Sequence, residues 1–210
     1  MNASLGFWLE ITGSWGASRA DRAAVYRNLI TAYCSKNRHY HDLTHIEHML
    51  DLANEVRDQV KDHAAMYLAI WFHDSIQKLG RDSEQLSTNF AKRQLLKLNA
   101  PDVLIDNVAS LILATKHQPT SSGHGDLSTD EKIISDIDLS ILGGSGDEYQ
   151  QYVKECRKEY PVSDFLYKRG RSNFLKGMLE TGHIFLTDYF KERFESLAFT
   201  NIQLEMEELK

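Results

Sequence analysis

Four of the chain's nine histidines crowd into RHYHDLTHIEH, as His39, His41, His45 and His48. Imidazole changes charge near neutral pH and is the commonest protein ligand for transition metals. Histidines at a helix start are also often simply solvated. Position on a helical wheel separates these four. His45 borders the Ile46/Met49/Ala53 stripe, His48 and Glu47 turn outward, and His41 precedes the helix within reach of the same pocket. The second signal is His73-Asp74, directly after the apolar Trp71-Phe72. An ionised aspartate at the end of a buried helix needs a cation or several donors. Neighbours on a helix point about 100° apart and pair poorly with each other. They can converge on one ion where the helix ends, or cap a neighbouring helix instead. The third signal is SDIDLSILGG. Its two aspartates lie about 200° apart on the wheel, so they face different surroundings. Asp138 flanks the Ile134/Ile137/Ile141 stripe and is read as the buried carboxylate; Asp136 is read as part of a solvated face. Two histidines and two aspartates from three helices, His45, His73, Asp74 and Asp138, form a mixed nitrogen and oxygen set. Such a set suits Mn, Fe, Co, Ni or Zn better than calcium or a thiolate-bound metal.

The elements that must carry these residues all read as helices. Ser18 and Asp21 open a stripe of Val25, Leu29, Ile30 and Tyr33, and Thr44 with Glu47 reads as a capping box before Ile46, Met49, Leu50, Ala53 and Val56. AAMYLAIWF, after Asp62, is apolar on every side, which describes a helix buried all round. Further helices are predicted near 83–98, from Pro101, from Ser128 with Glu131, and near 147–160, 163–180 and 187–208. Residues 118–128 form a polar Gly/Ser-rich loop holding His124, which reads as a solvated loop residue. Gly143-Gly144-Ser145-Gly146 ends a helix and lacks the GK[ST] of a phosphate cradle. Trp8, Trp15, Phe190 and Phe194 read as core. The expectation is one all-α domain over residues 1–210, with about eight to ten helices.

Length and composition agree. A chain of 210 residues can close a core without staples, and 42% apolar with 26% charged residues is ordinary for a globular domain. Three prolines among 210 residues disfavour a turn-rich β fold. The net charge of −6 argues against long nucleic acid as a partner. Cys34 and Cys156 make no disulfide framework, so a reducing cytoplasm is expected. Neither a signal peptide nor a membrane span is read.

RHYHDLTHIEHML, then AIWFHDSI, then SDIDLSILG, in that order, resemble the HD-domain superfamily of metal-dependent phosphohydrolases. The likeness is to its small stand-alone bacterial branch, which RKEYP and GRSNFL also resemble, and it covers about residues 15–205. The resemblance implies a helical bundle whose site lies between core helices, with His45 as first ligand, His73 and Asp74 as the HD pair, and Asp138 as the distant ligand. It departs in two places. Gln77 stands where some branches hold a catalytic glutamate, and YHD stands where Asn is common.

Glu84 is then the nearest candidate to orient water, unless it only favours a helix dipole. His117 is read as functional, in acid catalysis, phosphate binding or metal ligation. His41 and Arg171 are the candidate substrate contacts, although KRGR at 168–171 could equally be a solvated helix end. The expected activity is hydrolysis of a nucleotide or other small phosphate ester by metal-activated water. Two rivals remain: a non-catalytic metal-bound helical module, which Gln77 favours, and an HD-fold diiron oxygenase, which needs further histidine ligands.

Overall fold

The computed structural model describes residues 2–80, 82–117 and 127–210, with side chains from residue 5 onward. His124 and the rest of 118–126 lie outside the described residues. Ten α-helices and no strand are present among the described residues. They are α1 (Asn2–Gly13), α2 (Arg19–Tyr33), α3 (Leu43–Glu55), α4 (His63–Phe72), α5 (Ser83–Lys97), α6 (Asp102–Ala114), α7 (Thr129–Leu139), α8 (Gly146–Glu159), α9 (Asp164–Glu180) and α10 (Asp188–Glu208). The fold is all-α, as the helical periodicity predicts.

Local chemistry starts these helices where the turns need them. Ser18, Ser128 and Ser145 each accept a hydrogen bond from a backbone N–H three residues on, and Glu131 and Glu148 return the bond to complete capping boxes. The predicted Thr44/Glu47 box is replaced by a cap two residues earlier. Asp42 accepts from the N–H groups of Thr44 and His45, because a carboxylate reaches the first free donors of α3 from there. Asn99 takes the left-handed conformation (φ 58°) that closes the tight turn from α5 to α6.

Helix α4 is the axis of the molecule. Every residue from Ala65 to Phe72 is buried, as an all-apolar helix requires. Around it pack α3, α5, α6 and α7. All ten helices contribute to one apolar cluster, from Trp8 on α1 to Phe190 on α10. Trp8 and Phe190 are fully buried, and Trp15 and Phe194 pack against the cluster while partly exposed. Two polar ties fix α7 in this frame. Asp130 accepts from the backbone N–H groups of Lys61 and Asp62, each at 2.9 Å, joining the start of α7 to the start of α4. At the other end a short 3-10 turn (Ser140–Gly143) packs against α10. Asn201 donates to the carbonyls of Leu142 and Gly144 there. None of the described helices is long and apolar enough to cross a membrane.

Candidate metal centre

The cluster forms where three helix ends meet. His45 comes from the first turn of α3, beside its Asp42 cap. His73 caps the C-terminus of α4, with Asp74 one residue beyond, where the chain leaves the helix. Asp138 lies in the last turn of α7. His45 Nε2 is 3.3 Å from His73 Nε2 and 3.3 Å from Asp138 Oδ1. His73 Nε2 is 3.5 Å from Asp74 Oδ2 and 3.6 Å from Asp138 Oδ1. Two ligands on one ion, each about 2.0–2.2 Å from it, stand about 3.0–3.6 Å apart. His45, His73 and Asp74 offer ligand atoms all within 4.8 Å of one another, and Asp138 Oδ1 adjoins both histidines, a spacing that suits an ion.

Ring orientation supports the same conclusion. His73 Nδ1 is 2.8 Å from the Ile70 carbonyl, which only accepts, so Nδ1 carries the proton and donates. The Nε2 of His73 then faces the cluster, the arrangement of a metal-binding histidine whose outer nitrogen is tied to backbone. Burial pushes the His45 pKa down, against the opposing pull of Asp138, so its imidazole is neutral as a ligand must be. Asp138 is held well below the carboxylate range: burial opposes this, but bonds from His117 and His45 and the nearby His73 overcome it. For Asp74, too, burial is outweighed, here by the neighbouring histidines, and its pKa is lowered. As ligands, two imidazoles and two carboxylates would make a set of charge −2. His45, His73, Asp74 and Asp138 could hold a metal ion.

The aspartate assignment needs one correction. Asp136 is not solvated but completely buried, and Asp138 is the more exposed of the two, with 15% of its side chain accessible. Asp136 accepts from the N–H groups of Leu186 and Thr187 and from the Thr187 hydroxyl, at 2.7–2.8 Å. The segment leading into α10 covers the face of α7 that the wheel leaves open. The two carboxylates do face apart, and Asp138 is the one beside His45 and His73.

The cluster opens onto a cavity of about 510 Å³ whose lining includes Asp74, Asp138, His41, His117, Glu84 and Arg171. His117 Nε2 is 2.8 Å from the second oxygen of Asp138, so it orients that carboxylate from the side opposite His45. Glu84 sits in the first turn of α5, half-buried on the cavity wall, and burial with nearby Asp74 and Asp82 raises its pKa. The N-terminal turn of α5 is drawn in by Ser87, which bonds both the N–H and the carbonyl of Ile76. His48 is exposed and bonds Ser140 Oγ at 3.2 Å, away from the cluster. Arg171 is not a solvated helix end. Its guanidinium is bidentate on buried Glu205 at 2.8 and 3.0 Å and donates to the Tyr152 hydroxyl at 2.8 Å.

Two residues of the site escape sequence reasoning. Glu159, at the end of α8, accepts from the backbone N–H groups of His39, Tyr40 and His41 at 2.7, 2.9 and 3.0 Å. Its other oxygen holds His41 Nδ1 at 2.5 Å and receives Gln77 Nε2 at 3.3 Å. Burial alone would raise its pKa, but His41 and the backbone donors bring it down to about 2. His41 Nε2 is thereby aimed at Asp74 Oδ2, 3.7 Å away. Arg38 joins the same segment to the turn at His73-Asp74, donating to the carbonyls of His41 and Asp74. RKEYP and RHYH carry both residues, but their meeting across more than a hundred positions has no local signature. No family model, curated protein or solved structure matches the chain.

Proposed function

We propose that the protein is a metal-dependent phosphohydrolase acting on a small phosphate ester. The observation that carries this reading is the convergence of His45, His73, Asp74 and Asp138 at the floor of a cavity whose wall holds Glu84, His41 and His117. The resemblance of the three segments to HD-domain phosphohydrolases points the same way. A divalent transition metal, bound by those four residues, would supply Lewis-acid polarisation of a phosphoryl oxygen and acidify a water.

The remaining roles belong to the chain itself. Hydrolysis forms a bond from water oxygen to phosphorus as the bond from phosphorus to the alcohol oxygen breaks; one water proton is released and the leaving alkoxide gains one. Glu84, with its raised pKa and its place on the wall, carries that proton. His41, fixed by Glu159, presents Nε2 toward the phosphoryl group beside Asp74. His117 holds Asp138 in orientation through its second oxygen. Gln77 has no place in proton transfer. It donates to Glu159 and so supports His41, and a glutamate there would face another carboxylate.

A second reading rests on one contact. His117 on the far oxygen of Asp138 is where a second ion could be recruited, which keeps the diiron oxygenase in view. The test is release of inorganic phosphate from p-nitrophenyl phosphate by purified protein loaded in turn with Mn, Fe, Co, Ni and Zn. Release that EDTA and His73→Ala both abolish supports the hydrolase. Absence of release with every metal leaves a binding module, and about two irons per chain favours the oxygenase.

A further inference from the structure

Beyond the carboxylates and histidines of its floor, the cavity changes character. Its wall is built by Tyr152, Tyr160, Tyr167 and Phe174, with Val162 and Leu166. These come from α8, α9 and the connection between them. Tyr40 packs edge-on against Tyr152, with ring centroids 4.6 Å apart, and Tyr160 lies 5.8 Å from Tyr167. A mostly apolar pocket of this size, with a few placed polar groups, is the ordinary form of a small-molecule site.

Charge narrows the class of molecule. A second or third phosphate is normally clamped by free arginine or lysine. Among the described residues lining the cavity, histidines apart, the one cation is Arg171. Its charge is matched by Glu205, which is 1% exposed, and all three guanidinium nitrogens are already donating. Glu84 and the two aspartates on the lining add negative charge. The Tyr167 ring belongs to this wall.

Resting on the hydrolase reading, we propose that this wall is a leaving-group subsite. It takes the uncharged, ring-bearing alcohol of a phosphomonoester. The metal cluster and His41 take the single phosphoryl group; the aromatic wall takes the ring by stacking and burial. Nucleoside polyphosphates and small aliphatic phosphates are both discriminated against, the first by charge and the second by the unfilled wall.

Calorimetric binding to the metal-loaded protein tests this without depending on turnover. The probes are phenyl phosphate, adenosine 5′-monophosphate, glycerol 3-phosphate and adenosine 5′-triphosphate. The two ringed monophosphates are expected to bind about 10-fold or more tighter than the other two. Tyr167→Ala is expected to weaken both ringed probes about 3–10-fold and to leave glycerol 3-phosphate unchanged, since only the ringed probes have a ring to pack there. Equal or tighter binding of the triphosphate or the glycerol ester overturns the subsite, as does failure of all four to bind. An equal loss for glycerol 3-phosphate in Tyr167→Ala overturns the role of the wall. Ringed monophosphates bound with the expected preference but left intact contradict the hydrolase and not the subsite.

Discussion

The two aspartates of α7 divide by what surrounds them. Asp136 is satisfied by three donors around the entry to α10, whereas Asp138 meets His45, His73 and His117. Asp138→Ala is therefore expected to lose metal, and Asp136→Ala to keep it while losing about 1–3 kcal/mol of stability through unpaired backbone donors. Metal per chain by mass spectrometry, with a urea melt alongside, separates the two effects. Glu159 brings a pH dependence. Its folded pKa of about 2 lies below the ordinary 4.5, so its contribution to stability is full above pH 4.5. That contribution is lost as pH falls from there toward 2, because the unfolded chain then takes up the proton first. Glu159→Gln should flatten this acid limb, weaken the hold on His41 and lower turnover. Melting temperature against pH for both proteins measures it, and an unchanged acid limb would contradict the assignment. Gln77→Ala removes one donor to Glu159 at 3.3 Å and should cost far less than Glu84→Gln. The latter is expected to lower kcat about 10²–10⁴-fold with metal content unchanged.

Helix types and most helix starts are legible because they depend on local pattern. The Ser18, Ser128 and Ser145 caps and the all-buried α4 follow from residues a few positions apart. His45, His73, Asp74 and Asp138 stand out by type and by their place at helix ends. What escapes is long-range. Asp136 looks solvated on a wheel because nothing near it foretells that residues 186–187 will cover it. Glu159 and the Arg171–Glu205 pair are joined only when α8, α9 and α10 dock. Gly143 shows the same limit. It reads as a helix terminator, yet a Cβ there would lie 2.5 Å from the Phe194 carbonyl oxygen and 2.6 Å from Phe194 Cβ. Gly143→Ala must push α10 from the turn that follows Asp138. A loss of about 1–3 kcal/mol is expected from a denaturant titration, and a loss of metal affinity should accompany it.

At the scale of the molecule, the packing of α3, α5, α6 and α7 around α4 brings three helix ends to one point, and docking of α8 and α9 roofs it with aromatic side chains. Breaking the roof and breaking the floor should have different signatures. Removing one partner of the buried Arg171–Glu205 pair, as in Glu205→Gln, leaves an unmatched charge and is expected to cost about 3–5 kcal/mol. Emptying the floor should leave the helices in place and abolish metal binding. Metal content is therefore the most direct reading of the central claim. Wild-type protein loaded with a divalent transition metal and dialysed should retain about one ion per chain, and His45→Ala, His73→Ala and Asp138→Ala should each retain almost none while remaining helical by circular dichroism. Full occupancy in His73→Ala or Asp138→Ala, or a folded wild-type protein that retains no metal, would contradict it.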